Sequence, residues 1–146
     1  RKRRKIIRMD YKIISKFIKD ITFEIPNAQS FVMLEKEIEN YSLNFNITSN
    51  PYKNNIIEVN TTLKMVPNQD VKHKIFCEIT GASLVSIGQD SKNKSELEKI
   101  VLVTVPQEIY PTLYDTFVYL FKQAQVENMK IHKVVDFQKL FDARKK

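Results

Sequence analysis

The sequence predicts an α+β fold of two layers, in which a four-stranded antiparallel sheet carries C-terminal helices packed on one face. Three observations support this fold class. Four segments in the first 90 residues alternate apolar and polar side chains, the spacing becomes helical after about residue 95, and no internal repeat interrupts this order. The 146 residues have the length of one domain, and their 42% hydrophobic content can fill a single core.

The first predicted strand follows residues 11 to 25. Its apolar side chains fall on odd positions, namely Tyr11, Ile13, Phe17, Ile21, Phe23 and Ile25. Its polar side chains fall on even positions, namely Lys12, Lys16, Asp20, Thr22 and Glu24. Because successive strand side chains point to opposite faces, Asp20 and Glu24 are predicted to share the open face, about 13 Å apart. Pro26 cannot donate a ladder hydrogen bond and ends the strand.

Two more strands are predicted on either side of a turn at residues 49 to 54. The second strand has the clearest alternation of the chain, with Tyr41, Leu43, Phe45 and Ile47 on one face. The third strand places Ile57, Val59, Leu63 and Met65 on its inner face. The turn between them is rich in Asn, Ser and Pro, which favour turns.

The fourth predicted strand runs from about Val71 toward Ile87. It directs Val71, Ile75, Cys77 and Ile79 inward and Phe76 and Glu78 outward. An aromatic side chain on a polar strand face is either covered by a neighbouring loop or, if exposed, a contact site. Gly81 marks a position at which a bulge would redirect the strand.

The helical region follows. Ser95 and Glu98 have the spacing of a capping box and predict a helix start, although the β-branched segment IVLVTV after them suits a strand equally well. From Pro111 onward, apolar residues at offsets of 0, 4, 7, 8 and 11 predict a helix. A last short helix is predicted to start at Asp136 as its cap.

The net charge of +7 is concentrated at one end of the chain. Residues 1 to 8, RKRRKIIR, contain six basic residues, and without them 18 basic residues face 17 acidic ones. We therefore expect residues 1 to 10 to form a flexible basic arm before a single domain of residues 11 to 146. The arm could also bind an anionic membrane, nucleic acid or an acidic partner. A nucleic-acid domain would carry its basic residues over a folded face, so no nucleic-acid partner is expected.

Composition argues against several other classes. No apolar run of transmembrane length and no signal peptide is present, which predicts a cytoplasmic protein without direct membrane insertion. One cysteine and two histidines cannot form a usual zinc site, and two glycines cannot form a phosphate loop. Asp20 and Glu24 on an open face would not exclude water, as an acid/base pair in a cleft would. We expect no enzyme, cofactor or metal.

The segment KDITFEIPNA, residues 19 to 28, resembles the first-strand signature of the SecB family of bacterial export chaperones. The segments FCEITGASLVSI, VPQEIYPTLYDTFVYLF and VDFQKLF are similar to its fourth strand, main helix and last helix. The resemblance spans residues 11 to 143. It implies four antiparallel strands with C-terminal helices, assembled as a homotetramer that is a dimer of dimers.

The resemblance also implies a function and its residues. SecB-like proteins hold unfolded preproteins without ATP and deliver them to the motor SecA. The family's SecA contacts fall on Asp20, Glu24, Phe76 and Glu78. Its client-binding groove suggests Phe31, Met33, Leu34, Tyr41, Leu113, Tyr114 and Phe117, several of which could equally belong to the core. A second SecB-like group protects the antitoxin of a toxin–antitoxin system, and the sequence leaves that alternative open.

Overall fold

The computed structural model describes residues 11–68, 71–88, 93–126 and 129–144, so the predicted basic arm lies outside the described residues. The four strands are β1 (Tyr11–Glu24), β2 (Tyr41–Lys53), β3 (Ile56–Pro67) and β4 (Phe76–Ile87). They form an antiparallel sheet in the order β1-β4-β3-β2, which leaves β1 and β2 at its edges. The predicted α+β fold, a four-stranded antiparallel sheet followed by helices, is confirmed.

The turn between β2 and β3 lies later than predicted. Strand β2 continues to Lys53, and the turn is formed by Asn54 and Asn55, whose φ angles are 47° and 66°. A two-residue hairpin turn that matches the strand twist needs positive φ at both positions, and asparagine tolerates that conformation. The turn formers from Ser49 onward are therefore mostly strand residues.

Two bulges interrupt the pairing of β1 with β4, and the second lies between Ile18 and Asp20. A bulge adds one residue to the strand, so side chains on one side of it point to the face opposite to the one that simple alternation predicts. The prediction that Phe17 faces the core is therefore wrong: Phe17 is 42% exposed, and Ile18 packs against the core instead. By strand pairing the predicted faces hold again from Asp20 onward, although Ile21, opposite the buried Ile79, is still 44% exposed at this sheet edge. Gly81 lies opposite Ile18, so this bulge is in β1 rather than in β4.

Helix α1 (Ala28–Glu37) was not predicted from the sequence. Asn27 caps it by accepting a hydrogen bond from the Ser30 N–H at 2.9 Å, and a 3₁₀ turn from Ile38 to Asn40 leads into β2. Two signals could have identified this helix. One is the Asn27 cap, and the other is the four-residue spacing between Leu34, which is buried, and Ile38, which is half-buried.

The C-terminal helices are α2 (Lys94–Lys99), α3 (Val105–Gln123) and α4 (Phe137–Arg144). The predicted cap at Ser95 is wrong, because the Asn93 side chain accepts from the first-turn N–H groups. Asp136 caps α4 as predicted, accepting from Lys139 N at 3.1 Å.

The segment IVLVTV is helical, and residues 100 to 104 form a π-helical turn between α2 and α3. Helix α3 starts before Pro111, which lies inside it, while Pro106 occupies its first turn. Pro106 has no backbone N–H and cannot donate a hydrogen bond to the carbonyl of the residue four positions earlier. This missing bond accounts for the π-helical turn just upstream.

The core lies between the sheet and α3. Its largest fully buried side chains include Tyr110, Phe117, Phe121 and Phe137. Phe137 of α4 meets Phe45 of β2 edge to face with ring centroids 5.1 Å apart, which fixes the last helix on the sheet. Gly81 lets α3 approach β4 closely, since a Cβ there would lie 2.7 Å from Ile109 Cδ1.

The buried Cys77 predicts a loss of stability at alkaline pH. Burial raises the pKa of the Cys77 thiol from 9.0 to about 12, and burial also raises the pKa of Tyr110 to about 12. An unfolded chain therefore releases protons that the folded chain keeps, so stability is full below pH 9 and falls as the pH rises toward 12. The expected slope is about 1 kcal/mol per pH unit for one group.

Urea unfolding at pH 8, 9 and 10 measures this slope. In Cys77→Ala, the fall in the free energy of unfolding between pH 9 and 10 should be smaller than in the unchanged protein, because unfolded tyrosines ionise mostly above that range. Equal slopes in the two proteins would show that the thiol does not contribute.

Candidate protein-binding surfaces

The first candidate surface is the end of the sheet face that points away from the helices. Strand pairing places Glu24 opposite Phe76 and Thr22 opposite Glu78, and Asp20 lies two residues further along β1. Residues directly opposite each other in an antiparallel pair share a face. Asp20, Glu24, Phe76 and Glu78 therefore lie together, and we call these four residues the docking face.

The docking face is accessible. Asp20 and Glu24 are exposed, and Phe76 is 45% exposed. Glu78 Oε1 lies 4.0 Å from Lys64 Nζ on β3, and both side chains are well exposed, so this pair is weak. Carboxylates on the same face as an accessible ring suit a peptide that presents basic side chains and an apolar one.

The second candidate surface follows the helix side of β2, at the other edge of the sheet. Three grooves of about 420, 490 and 720 Å³ lie end to end there. Leu43 lines the first two and Leu102 lines the last two, so neighbouring grooves adjoin at these two side chains. We call them the β2 track. Its apolar lining consists of Ile38, Tyr41, Leu43, Phe45, Ile47, Pro51, Ile57, Met65, Leu97, Val101, Leu102, Phe117, Met129, Phe137, Leu140 and Phe141.

Strand β2 leaves one row of backbone groups unpaired along this track. From Tyr41 to Pro51 the strand extends about 30 Å, enough for roughly ten residues of an extended peptide. Its pairing with β3 is regular as far as Pro51, and no charged residue occurs between Tyr41 and Tyr52. The opposite edge differs, since β1 has two bulges and the lysines Lys12, Lys16 and Lys19. Bulges and lysines protect an edge from further strand pairing, so β2 is the unprotected edge.

The groove residues suggested by the sequence separate into different environments. Tyr41 and Phe117 line the β2 track, and Tyr41 accepts a hydrogen bond from Ile75 N at 3.1 Å. The others line none of its three grooves. Among them Leu34 and Leu113 are core residues, Met33 and Tyr114 are half-buried, and Phe31 is 42% exposed. Sequence reasoning missed Leu43, Phe45 and Leu102 as track residues, because periodicity does not show that β2 is an edge.

In the described ranges, no group of three or more His, Cys, Asp or Glu side chains could hold a metal ion. None of the helices in those ranges is long and apolar enough to cross a membrane.

Comparison with known proteins identifies the family. The family model described as "Preprotein translocase subunit SecB" matches residues 6–146. The chain belongs to the SecB family. A putative protein-export protein SecB from Pelagibacter ubique (strain HTCC1062) is 38% identical over 135 residues, which cover 92% of this chain and 96% of that protein.

A solved structure agrees with the SecB assignment at the level of the fold. The SecB-like chaperone of Mycobacterium tuberculosis, in complex with a peptide from an antitoxin, superimposes with a TM-score of 0.64. The match covers 86% of this chain and 88% of that one at 11% sequence identity. SecB-family proteins are chaperones rather than enzymes, and the resemblance of the chain to the SecB family is thereby confirmed.

Proposed function

We propose that this protein is an ATP-independent holdase that binds unfolded preproteins along the β2 track and delivers them to SecA. The observation that carries the proposal is the track itself, a row of grooves with apolar side chains among polar and charged ones, beside an unprotected strand edge. An extended client could hydrogen-bond to the free backbone of β2 while its side chains enter the grooves. The half-buried Met129 favours a broad client range, since methionine adapts to many shapes.

Delivery to SecA is assigned to the docking face. Its position on the opposite side of the sheet from the helix-side track leaves it accessible while a client is bound. The carboxylates of Asp20, Glu24 and Glu78 would attract a basic segment of the motor, and Phe76 would contact an apolar side chain beside it. We further propose a cytoplasmic homotetramer, as the family resemblance implies.

Service to a single antitoxin is the second candidate. The structural relative is in complex with an antitoxin peptide, but at 11% identity that relative supports the fold alone. The 38% identical relative carries a protein-export description, which favours general export. Selective binding of one protein encoded beside this one would support the antitoxin role.

Light scattering tests the holdase activity. A denatured, slow-folding client is diluted into buffer without ATP, with and without the protein. We expect aggregation to be suppressed at about one tetramer per client. No suppression at a large molar excess would contradict a general holdase function.

A matched pair of variants tests whether the β2 track is the client site. Leu140 is 44% exposed and lines the track, whereas Val134 is 76% exposed and lines none of its grooves. Leu140→Asp should raise the concentration needed for half-suppression about fivefold, because it removes about 1 kcal/mol of apolar contact. Val134→Asp should leave it unchanged. Similar losses in both variants would exclude the track as the specific site.

A further inference from the structure

Phe17 lies on the same side of the sheet as the docking face, although simple alternation predicts the core side. Strand pairing places Phe17 directly opposite Ala82 on β4. Along β4 the pairing advances one residue at a time from Phe76 to Ala82, so these two residues, six positions apart, point to one face. The bulge between Ile18 and Asp20 therefore brings an aromatic side chain to the side of the sheet that carries the docking face.

Phe17 is accessible to a partner. Its side chain is 42% exposed, close to the 45% of Phe76. Six strand residues separate the positions of the two rings on β4, a distance of about 20 Å. A single exposed apolar side chain is ordinary on a protein surface, but two aromatic rings at the ends of one stretch of a sheet face offer two contact points to the same partner.

The stretch between the two rings is acidic. The side chains that share this face there are Asp20 and Thr22 on β1 and Glu78 and Thr80 on β4, and none of these four is basic. Asp20 and Thr22 are exposed, and Glu78 and Thr80 are half-buried. Two carboxylates and two hydroxyl-bearing side chains therefore lie between the two apolar contact points.

Lys19, the extra residue of the bulge, does not cancel this acidic character, because its charge has a partner elsewhere. Its Nζ donates to Glu58 Oε2 at 2.5 Å and to Asn60 Oδ1 at 3.4 Å, and both acceptors are on β3. Because β4 lies between β1 and β3, the Lys19 side chain crosses β4 to reach them. A lysine that is already paired with a carboxylate repels a basic segment less than a free lysine does. The face therefore stays attractive to cations as far as Phe17.

We infer that Phe17 is a second apolar anchor beside the docking face, and that the SecA segment bound there presents basic side chains between two apolar ones. In an extended segment, apolar residues six positions apart span the same distance of about 20 Å as the two rings. The basic side chains between them meet Asp20 and Glu78. The carboxylates supply steering and specificity, and the two rings supply contacts that salt does not screen. The inference rests on the proposed docking of SecA and adds what the docked segment must present.

Titration calorimetry with purified SecA and the full chain tests the role of Phe17. Phe17→Ala should raise the Kd about fivefold, because it removes an apolar contact. The rise should be equal at about 50 and 200 mM salt, since salt screens charges and not apolar contacts. Phe17→Tyr keeps the ring and should leave the Kd within twofold. The control Tyr52→Ala, which removes a 57% exposed aromatic side chain from β2, should also change the Kd less than twofold.

The outcomes separate the anchor from docking itself. If Phe17→Ala stays within twofold of the unchanged protein while Asp20→Lys/Glu24→Lys weakens binding, the inference is wrong and docking on this face stands. If the unchanged protein does not bind SecA, the docking proposal and this inference are both wrong. A lower molar mass of Phe17→Ala in size-exclusion chromatography with light scattering would also overturn the inference, by assigning Phe17 to a contact between copies of this chain. Suppression of client aggregation by Phe17→Ala should equal that of the unchanged protein, which shows that the variant is folded.

Discussion

Replacing Phe117 by alanine is expected to lower the free energy of unfolding by about 3–5 kcal/mol. Phe117 is 1% exposed and stacks on Phe121 with ring centroids 4.7 Å apart. Its removal deletes these contacts and leaves a cavity between α3 and the sheet that the surrounding side chains fill only in part. Small domains are stable by about 5–15 kcal/mol, so this one change removes a large part of the total.

Urea denaturation measures this effect, with Tyr119→Ala as the matched control on the same helix. Tyr119 is 60% exposed, and its truncation should change stability by less than about 0.5 kcal/mol. If Phe117→Ala lowers the free energy of unfolding by less than about 1 kcal/mol, Phe117 is not mainly a core residue. It would then act mainly as a surface of the client groove, as the family resemblance suggests. Both roles are compatible with its position at the base of the β2 track.

The double variant Asp20→Lys/Glu24→Lys is expected to weaken binding to SecA at least tenfold at low salt. Both carboxylates are exposed on the docking face, and each reversal replaces an attraction for a basic segment by a repulsion. The difference should shrink between about 50 and 200 mM salt, because exposed charges are screened over a distance that falls below about 10 Å in this range. Titration calorimetry with purified SecA gives the affinity at each salt concentration.

Asp115→Lys/Asp142→Lys is the control for net charge, since both side chains are exposed on helices and outside the docking face. It should leave SecA affinity within about twofold. Equal losses in the two variants would indicate a general effect of charge, and no loss in either would remove SecA from this face. The holdase assay does not involve SecA, so a failure of docking and a failure of client binding are observed separately.

The docking face was predictable because its residues are close in sequence within two strands. Alternation alone assigned Asp20 and Glu24 to one face of β1, and Phe76 and Glu78 to the outer face of β4. The antiparallel pairing of β1 with β4 then brought the two pairs together. The bulge between Ile18 and Asp20 could have reversed this result, but it lies just before Asp20 and changes only the residues upstream of it, such as Phe17.

The β2 track was not predictable in the same way. The track depends on β2 being an edge strand and on the contact of α4 with it through Phe137 and Phe45. It forms only when separate segments pack against each other.

The sequence by itself determined the strand alternation, the α+β class and membership of the SecB family through KDITFEIPNA, since each depends on local spacing or on residue identity. The tertiary structure alone decided the order β1-β4-β3-β2, the burial of Leu113 and Phe117, and the close approach of Ile109 to Gly81. The physical reason is that a period of two defines the faces of a strand but not its neighbours. Those neighbours are selected by packing between distant parts of the chain, and they determine which apolar surface stays open to a client.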